Sequence, residues 1–286
     1  MKKFTRLILN IFLKVFQTVP IKVSFLVTKY ILVFVGYRKQ VINKNFINTT
    51  VNKYYALGFD NFYKSNIHFV ARIIIESISS VSDKKQERLQ FSNISKLESQ
   101  CTESNGVILL ASHYGNWELA CTFLPKHTDL TCYGVYKPLK NKSVDQFMLD
   151  KRSKLGLHLI PMNKIGRTIL ENKNKGKSAV YILIADQNPN SKNSLVWSQF
   201  LGVKTAFFNG PMKLVQKYGF NVSYMEVEVG NELFEYNINI NTDLDIGENG
   251  ENLIDSYSNI LESQIQKAPQ YWLWSHKRWK RTFKNF

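Results

Sequence analysis

Three short, largely apolar runs constrain this chain most: Gly106-Val-Ile-Leu-Leu-Ala111, the stretch LTCYGVY at 130–136 and SAVYILIA at 178–185. The first, continuous and following a turn, suits a strand buried on both faces, and the other two look like further strands. Such strands pair in parallel, and parallel pairing requires long crossovers, most economically helices. The intervening segments supply them: residues 143–155, with Ser143 and Gln146 as a capping box, and residues 164–174 both carry helical spacing. Further on, 211–218 reads as a helix closed by Gly219, 222–229 and 234–240 alternate like antiparallel strands, and 251–266 is a last amphipathic helix. Residues 39–100 read mostly helical, at 53–57, 62–79 and 84–97, with Glu76 either a solvated position, the favoured reading, or a polar group at the site mouth. The expected architecture is one α/β domain over 37–286, with a mixed, largely parallel central sheet flanked by helices. With 44% hydrophobic residues in 286, the chain has ample material for that core.

Residues 1–36 stand apart. The stretch from Phe4 to Gly36 is the most apolar in the chain, yet Arg6, Lys14, Lys22 and Lys29 leave no uncharged run of spanning length. No small-residue cleavage site follows a compact apolar core, so a signal peptide does not fit. Pro20 divides the stretch, and the second half reads as a helix with Lys22 and Lys29 on one face. This suits an N-terminal anchor lying in a membrane interface with its lysines reaching phosphates, or an ordinary helix packed on the domain. The 38 basic residues against 22 acidic, a formal charge of +16, call for an acidic partner: nucleic acid, anionic lipid or acidic protein. Three cysteines, at 101, 121 and 132, make no disulfide framework and fit a reducing compartment.

The segment Leu109-Leu-Ala-Ser-His-Tyr-Gly-Asn-Trp-Glu-Leu-Ala120 is where chemistry concentrates. A buried strand ends, and His113, Gly115 and Glu118 follow before a helix resumes. Ligands of α/β sheets bind at the carboxyl ends of strands, so His113 is placed for work, although a structural histidine suits the same spot. Within one helical turn Glu118 can bring its carboxylate back to the imidazole and make His113 a general base. Gly115 would let the backbone approach a substrate, with N–H groups at the helix start available to an oxyanion. Ser112 lacks the G-x-S-x-G elbow, and no HExxH, CxxC, P-loop or GxGxxG motif occurs. The C-terminal run WLWSHKRWKRTFK interleaves aromatics with cations. It suits an interfacial belt of Trp272, Trp274 and Trp279, a single-strand stacking surface, or a tail packed on the domain.

The spacing His113-x-x-x-x-Glu118 in SHYGNWELA resembles the signature of the glycerolipid acyltransferase superfamily, and its context resembles the lipid A biosynthesis (late lauroyl/myristoyl) acyltransferases. Further similar blocks are Tyr37-Arg-Lys-Gln-Val-Ile through Asn45, Tyr136-Lys-Pro with Asn141 and Arg152, Ala185-Asp-Gln187, Phe200-Leu-Gly202 and Tyr271-Trp-Leu-Trp-Ser-His-Lys-Arg-Trp279. Members often carry a clearer membrane-spanning N-terminal helix than this one.

The resemblance implies transfer of a fatty acyl group from an acyl carrier protein or coenzyme A thioester to a hydroxyl of a lipid A precursor. The acceptor could instead be another membrane lipid: an amino-acid lipid, a glycolipid or a lysophospholipid. A basic nucleic-acid-binding protein is the rival from another class, and nucleic acid is not the expected partner. His113 would be the base and Glu118 its orienting partner, an arrangement typically worth roughly 10²–10⁴-fold. Arg152, with Gly115, would serve the oxyanion or the donor, if Arg152 is not simply a surface residue. Asp186 would hold the active-site loops or Arg152, with Asn116 and Gln187 in support. Neither a metal nor a cofactor beyond the thioester co-substrate is implied. The expected location is the cytoplasmic face of a bacterial inner membrane, against an anionic lipid surface.

Overall fold

The computed structural model describes residues 19–79, 87–139, 141–189 and 195–282. The first half of the apolar N-terminal stretch therefore lies outside the described residues. Its second half forms α1 (Ile21–Phe34), entered through Pro20, whose fixed φ suits a helix start. No helix among the described residues is long and apolar enough to cross a membrane. Helix α1 packs on α4 (Gly58–Ile78) through its Ser24 side, with α2 (Lys39–Ile47) and the single turn α3 (Val51–Tyr54) between them in the chain.

A seven-stranded sheet forms the centre, in the order β1-β9-β8-β2-β5-β3-β4. Its strands are β1 (Leu89–Ser92), β2 (Val107–Ala111), β3 (Thr131–Tyr136), β4 (His158–Pro161), β5 (Ala179–Ile184), β8 (Asn221–Val229) and β9 (Tyr236–Asn241). Every pairing is parallel except β8 with β9. The crossovers are α5 (Ile94–Glu103), α6 (Trp117–Phe123), α7 (Lys142–Ser153), α8 (Ile165–Asn174) and α9 (Gly210–Tyr218), and α10 (Leu253–Lys267) follows the sheet. All five residues of β2 are buried, because alternate side chains feed cores on the two faces: Ile108 and Leu110 on one, Val107, Leu109 and Ala111 on the other. That double burial is why the sequence reads as a continuous apolar run rather than an alternation.

Four local expectations change. The helix expected at 84–97 gives way to β1 at Leu89–Ser92, where Leu89 and Phe91 turn inward and Gln90 and Ser92 outward; residues 80–86 lie outside the described residues. Four residues of period-2 alternation are too short to outweigh helical spacing on either side. The cap of α7 is Asn141, whose Oδ1 accepts the N–H groups of Ser143 and Val144, so Ser143 and Gln146 do not form the capping box. A separate hairpin, β6 (Leu195–Phe200) and β7 (Val203–Phe208), turns at Leu201-Gly202 and packs its β6 on α10.

The tryptophan-rich tail is the fourth. Trp272, Trp274 and Trp279 are 2%, 0% and 1% exposed, so they neither line a membrane interface nor offer a stacking surface. Each indole N–H finds a partner inside the chain: Trp272 on Asp186, Trp274 on the Pro269 carbonyl and Trp279 on Thr205 Oγ1. Asn45, in the block after the N-terminal stretch, donates to the carbonyls of Trp274 and His276 and fastens the tail to α2. Aromatic rings whose polar edges are satisfied internally belong to the core.

Candidate active site

Strands β2 and β5 are neighbours and parallel, with Ala111 opposite Ile184, so the residues that follow them emerge at the same sheet edge. The amide of Ala185 donates to the Ala111 carbonyl at 3.2 Å and keeps the two chains together past the strand ends. This brings His113 and Asp186 into contact across 73 positions. Asp186 Oδ1 lies 2.6 Å from His113 Nδ1, and Oδ2 accepts the His113 backbone N–H at 2.9 Å. Trp272 Nε1 adds a third donor to Oδ2 at 2.8 Å. Burial alone would push the Asp186 carboxyl upward, but the His113 charge and these hydrogen bonds outweigh it and hold its pKa below the ordinary value.

A carboxylate only accepts, so Nδ1 carries the proton and Nε2 keeps its lone pair. That lone pair takes the Gln187 amide N–H at 2.8 Å. The imidazole stands edge-on to Trp117, with centroids 4.7 Å apart, and is 16% exposed. The site thus holds a histidine with the buried Asp186 carboxylate behind Nδ1 and the Gln187 amide in front of Nε2.

Glu118 differs from its expected role. Its carboxylate does not turn back to His113; it meets Arg152 of α7, with Nε to Oε2 at 2.9 Å and Nη2 to Oε1 at 2.5 Å. The position facing the imidazole is already filled by Asp186, and α6 directs Glu118 toward α7 instead. Asp186, expected to hold the loops or Arg152, holds His113. Arg152 is no free surface cation: burial would lower its pKa, but the Glu118 hydrogen bonds and charge raise it overall. The ion pair borders a cleft of about 300 Å³ lined by Ile78, Leu119, Phe123, Phe147, Met148 and Leu155.

Gly115 does not offer its N–H to an oxyanion either, because that group donates to the Tyr271 carbonyl at 3.0 Å. Its φ of +60° is left-handed, and a Cβ there would stand 2.5 Å from Val227 Cγ1. Leu273 N returns a bond to the His113 carbonyl at 3.0 Å, so the tail braces the loop from both sides of Tyr114. Asn116 caps α6 by accepting the Leu119 N–H and donates its own amide to Glu76. Ser112 is spent on Tyr224, 2.8 Å away and buried.

Sequence reasoning missed two groups. Glu76 is fully buried rather than solvated: it accepts from Arg72 Nε, Phe234 N, Asn116 Nδ2 and Tyr236 OH, linking α4 to the loop that carries His113. Arg72 four residues earlier was the available signal, since a buried acid needs a paired cation. For Trp272 the packed tail is one of three readings the sequence leaves open, and nothing local in WLWS marks its indole as a partner of Asp186.

Compared with curated proteins, the chain matches none. A family model described as bacterial lipid A biosynthesis acyltransferase matches residues 2–281, and the ordered blocks recognised in the sequence fall within that span. The chain belongs to the bacterial lipid A biosynthesis acyltransferase family.

Proposed function

We propose that this acyltransferase moves a fatty acyl group from an acyl carrier protein or coenzyme A thioester to a hydroxyl of a lipid A precursor, working at the cytoplasmic face of a bacterial inner membrane. The observation that carries the reading is the His113–Asp186 pair, which leaves Nε2 basic behind a single displaceable amide. The acceptor hydroxyl replaces Gln187 at Nε2 and gives up its proton there as its oxygen attacks the thioester carbonyl. The new O–C bond forms, and the carbonyl oxygen becomes an oxyanion. Collapse breaks the C–S bond, and the departing sulfur takes the proton from Nε2. Asp186 stabilises the imidazolium between these steps. In this reading the displaced Gln187 amide, still next to Nε2, is the donor available to the oxyanion.

Glu118 acts in this reading through Arg152: their ion pair sets the position of the guanidinium at the cleft between α6 and α7. The apolar lining of that cleft suits the donor's acyl chain, and the cation suits the phosphate of a phosphopantetheine arm. The chain's +16 charge would steer an acidic carrier protein to this surface.

The test is an acyl-transfer assay with the full chain, acyl thioesters on both carriers and a hydroxyl-bearing lipid A precursor, read by mass spectrometry. The expected product is the precursor plus one acyl chain, with transfer abolished by His113→Ala. Turnover that His113→Ala leaves intact would refute the mechanism, and transfer only to other membrane lipids would refute the acceptor.

A further inference from the structure

A second cationic feature lies where α1 meets α4. Helix α1 exposes Val23, Leu26, Val27, Tyr30, Ile31 and Phe34, which recur at i, i+3, i+4, i+7, i+8 and i+11 and so form one stripe. Phe34 is 92% exposed and Tyr30 65%. Beside the stripe runs a groove of about 520 Å³ between the two helices, lined also by Gln270 and Tyr271 of the C-terminal segment. Lys29 enters it from α1, and Lys64 and His68, one turn apart, enter it from α4. Among the described residues that line it there is no Asp or Glu. The His68 pKa is lowered by burial first and then by the charges of Lys29 and of Arg72, which is itself paired with Glu76.

We propose that this groove binds the phosphate of an anionic lipid headgroup, with Lys29 and Lys64 as its charge partners and His68, Ser65 and Gln270 as neutral donors. It rests on the reading that the enzyme works on membrane lipids, and it adds the place where a headgroup is held. Two ammonium groups and several neutral donors without a carboxylate form a receptor for phosphate oxygens. The apolar stripe decides for a lipid over a free anion, because a headgroup seated in the groove lays its acyl tails along α1, with Tyr30 at the interface. Tyr271 links the groove to the reaction loop: it lines the groove, its ring packs edge-on against Phe69 at 4.9 Å, and its carbonyl accepts the Gly115 N–H.

The experiment uses the full chain and co-sedimentation with vesicles of phosphatidylcholine alone or mixed with phosphatidylglycerol. Lys29→Gln with Lys64→Gln is compared with Lys175→Gln with Lys177→Gln, which removes the same charge from an exposed turn far along the chain. The groove variant is expected to bind anionic vesicles about 10–30-fold more weakly, the sum expected for two lysines at a lipid surface. The turn variant should change binding by less than about twofold, since charges that do not reach the surface contribute little. Equal losses in both variants, or no loss in either, would overturn the site. Inorganic phosphate titrated alone should give no saturable phosphorus resonance shift; saturable binding abolished in the groove variant would make this a soluble-anion site and overturn the lipid assignment. No turnover is needed, so the outcome is independent of whether the acyl-transfer reading stands.

Discussion

Two charged partnerships begin within six residues of each other and are built in opposite ways. The His113–Asp186 pair sits where two parallel strands end, with the Asp186 side chain 1% exposed and all three of its donors fixed by backbone or core. The Glu118–Arg152 pair joins two helices through long side chains that are 20% and 26% exposed. The first has its orientation imposed by the sheet; the second can adjust by rotamer changes and is partly screened by water. Under the proposed mechanism, a base that must present one nitrogen suits the first setting, and a charge that must accommodate an incoming substrate suits the second.

The largest effect falls on the strand-end pair. His113→Ala is expected to lower kcat by about 10³–10⁴, with circular dichroism checking that the fold survives. Asp186→Asn keeps the volume but can donate to Nδ1, which favours the wrong tautomer and costs up to about 10⁴ in kcat. The same variant has a signature in stability. The Asp186 pKa is depressed in the folded chain, so its stabilisation is present above the ordinary value of 3.8 and is lost as the pH falls through the lower folded value. Urea melts of the wild type should therefore weaken steeply below that ordinary value, and those of Asp186→Asn less so. Parallel acid limbs would remove Asp186 from the role assigned to it.

The comparison also explains what could be read in advance. The three parallel strands, the crossover helices and the β8–β9 pair were legible because double burial and period-2 alternation write themselves into composition. His113 was legible as a residue just past a strand. Its partner was not: Glu118 is near in sequence, whereas Asp186 is near only because β5 inserts beside β2, and strand order is a property of the assembled sheet. The segment Ala185-Asp-Gln187 was marked as a block, yet nothing in it says which base it serves. The places of Trp272 and Glu76 were not legible for the same reason, since an amphipathic side chain and a carboxylate look surface-bound until the partner that satisfies them is known. Strands β1 and β4 were missed because four residues carry too little periodicity.

The helix pair should respond more mildly. Glu118→Gln and Arg152→Met are each expected to lower kcat/KM by about 10–100-fold, with a coupling between them of roughly 1–3 kcal/mol in a double-mutant cycle. Because both side chains are partly exposed, the melting midpoint should move by the equivalent of only about 1 kcal/mol or less. If Glu118 acts through Arg152, then Glu118→Gln adds little in the Arg152→Met background. A loss of undiminished size there would assign Glu118 to His113 and erase the distinction between the two pairs.

The smallest effect should come from the hinge between them. Gly115 separates the strand-end pair from the helix pair, at φ +60° and with no room for a Cβ against Val227. Gly115→Ala adds a strained backbone conformation and an overlap, together about 2–3 kcal/mol of stability. Val227→Ala in the same chain removes the Cγ1 overlap at 2.5 Å but leaves the residue-227 Cβ at 2.9 Å and the backbone strain, so less than half should return. Activity should fall less than tenfold, because the His113 amide remains tied to Asp186 whatever the loop beyond it does. The position of His113 then does not depend on the bond between Gly115 and Tyr271. A much larger loss of kcat in Gly115→Ala, with Glu118 and Arg152 still coupled in the cycle, would mean that the loop and its bond to Tyr271 position the base, and that the sheet edge does not suffice.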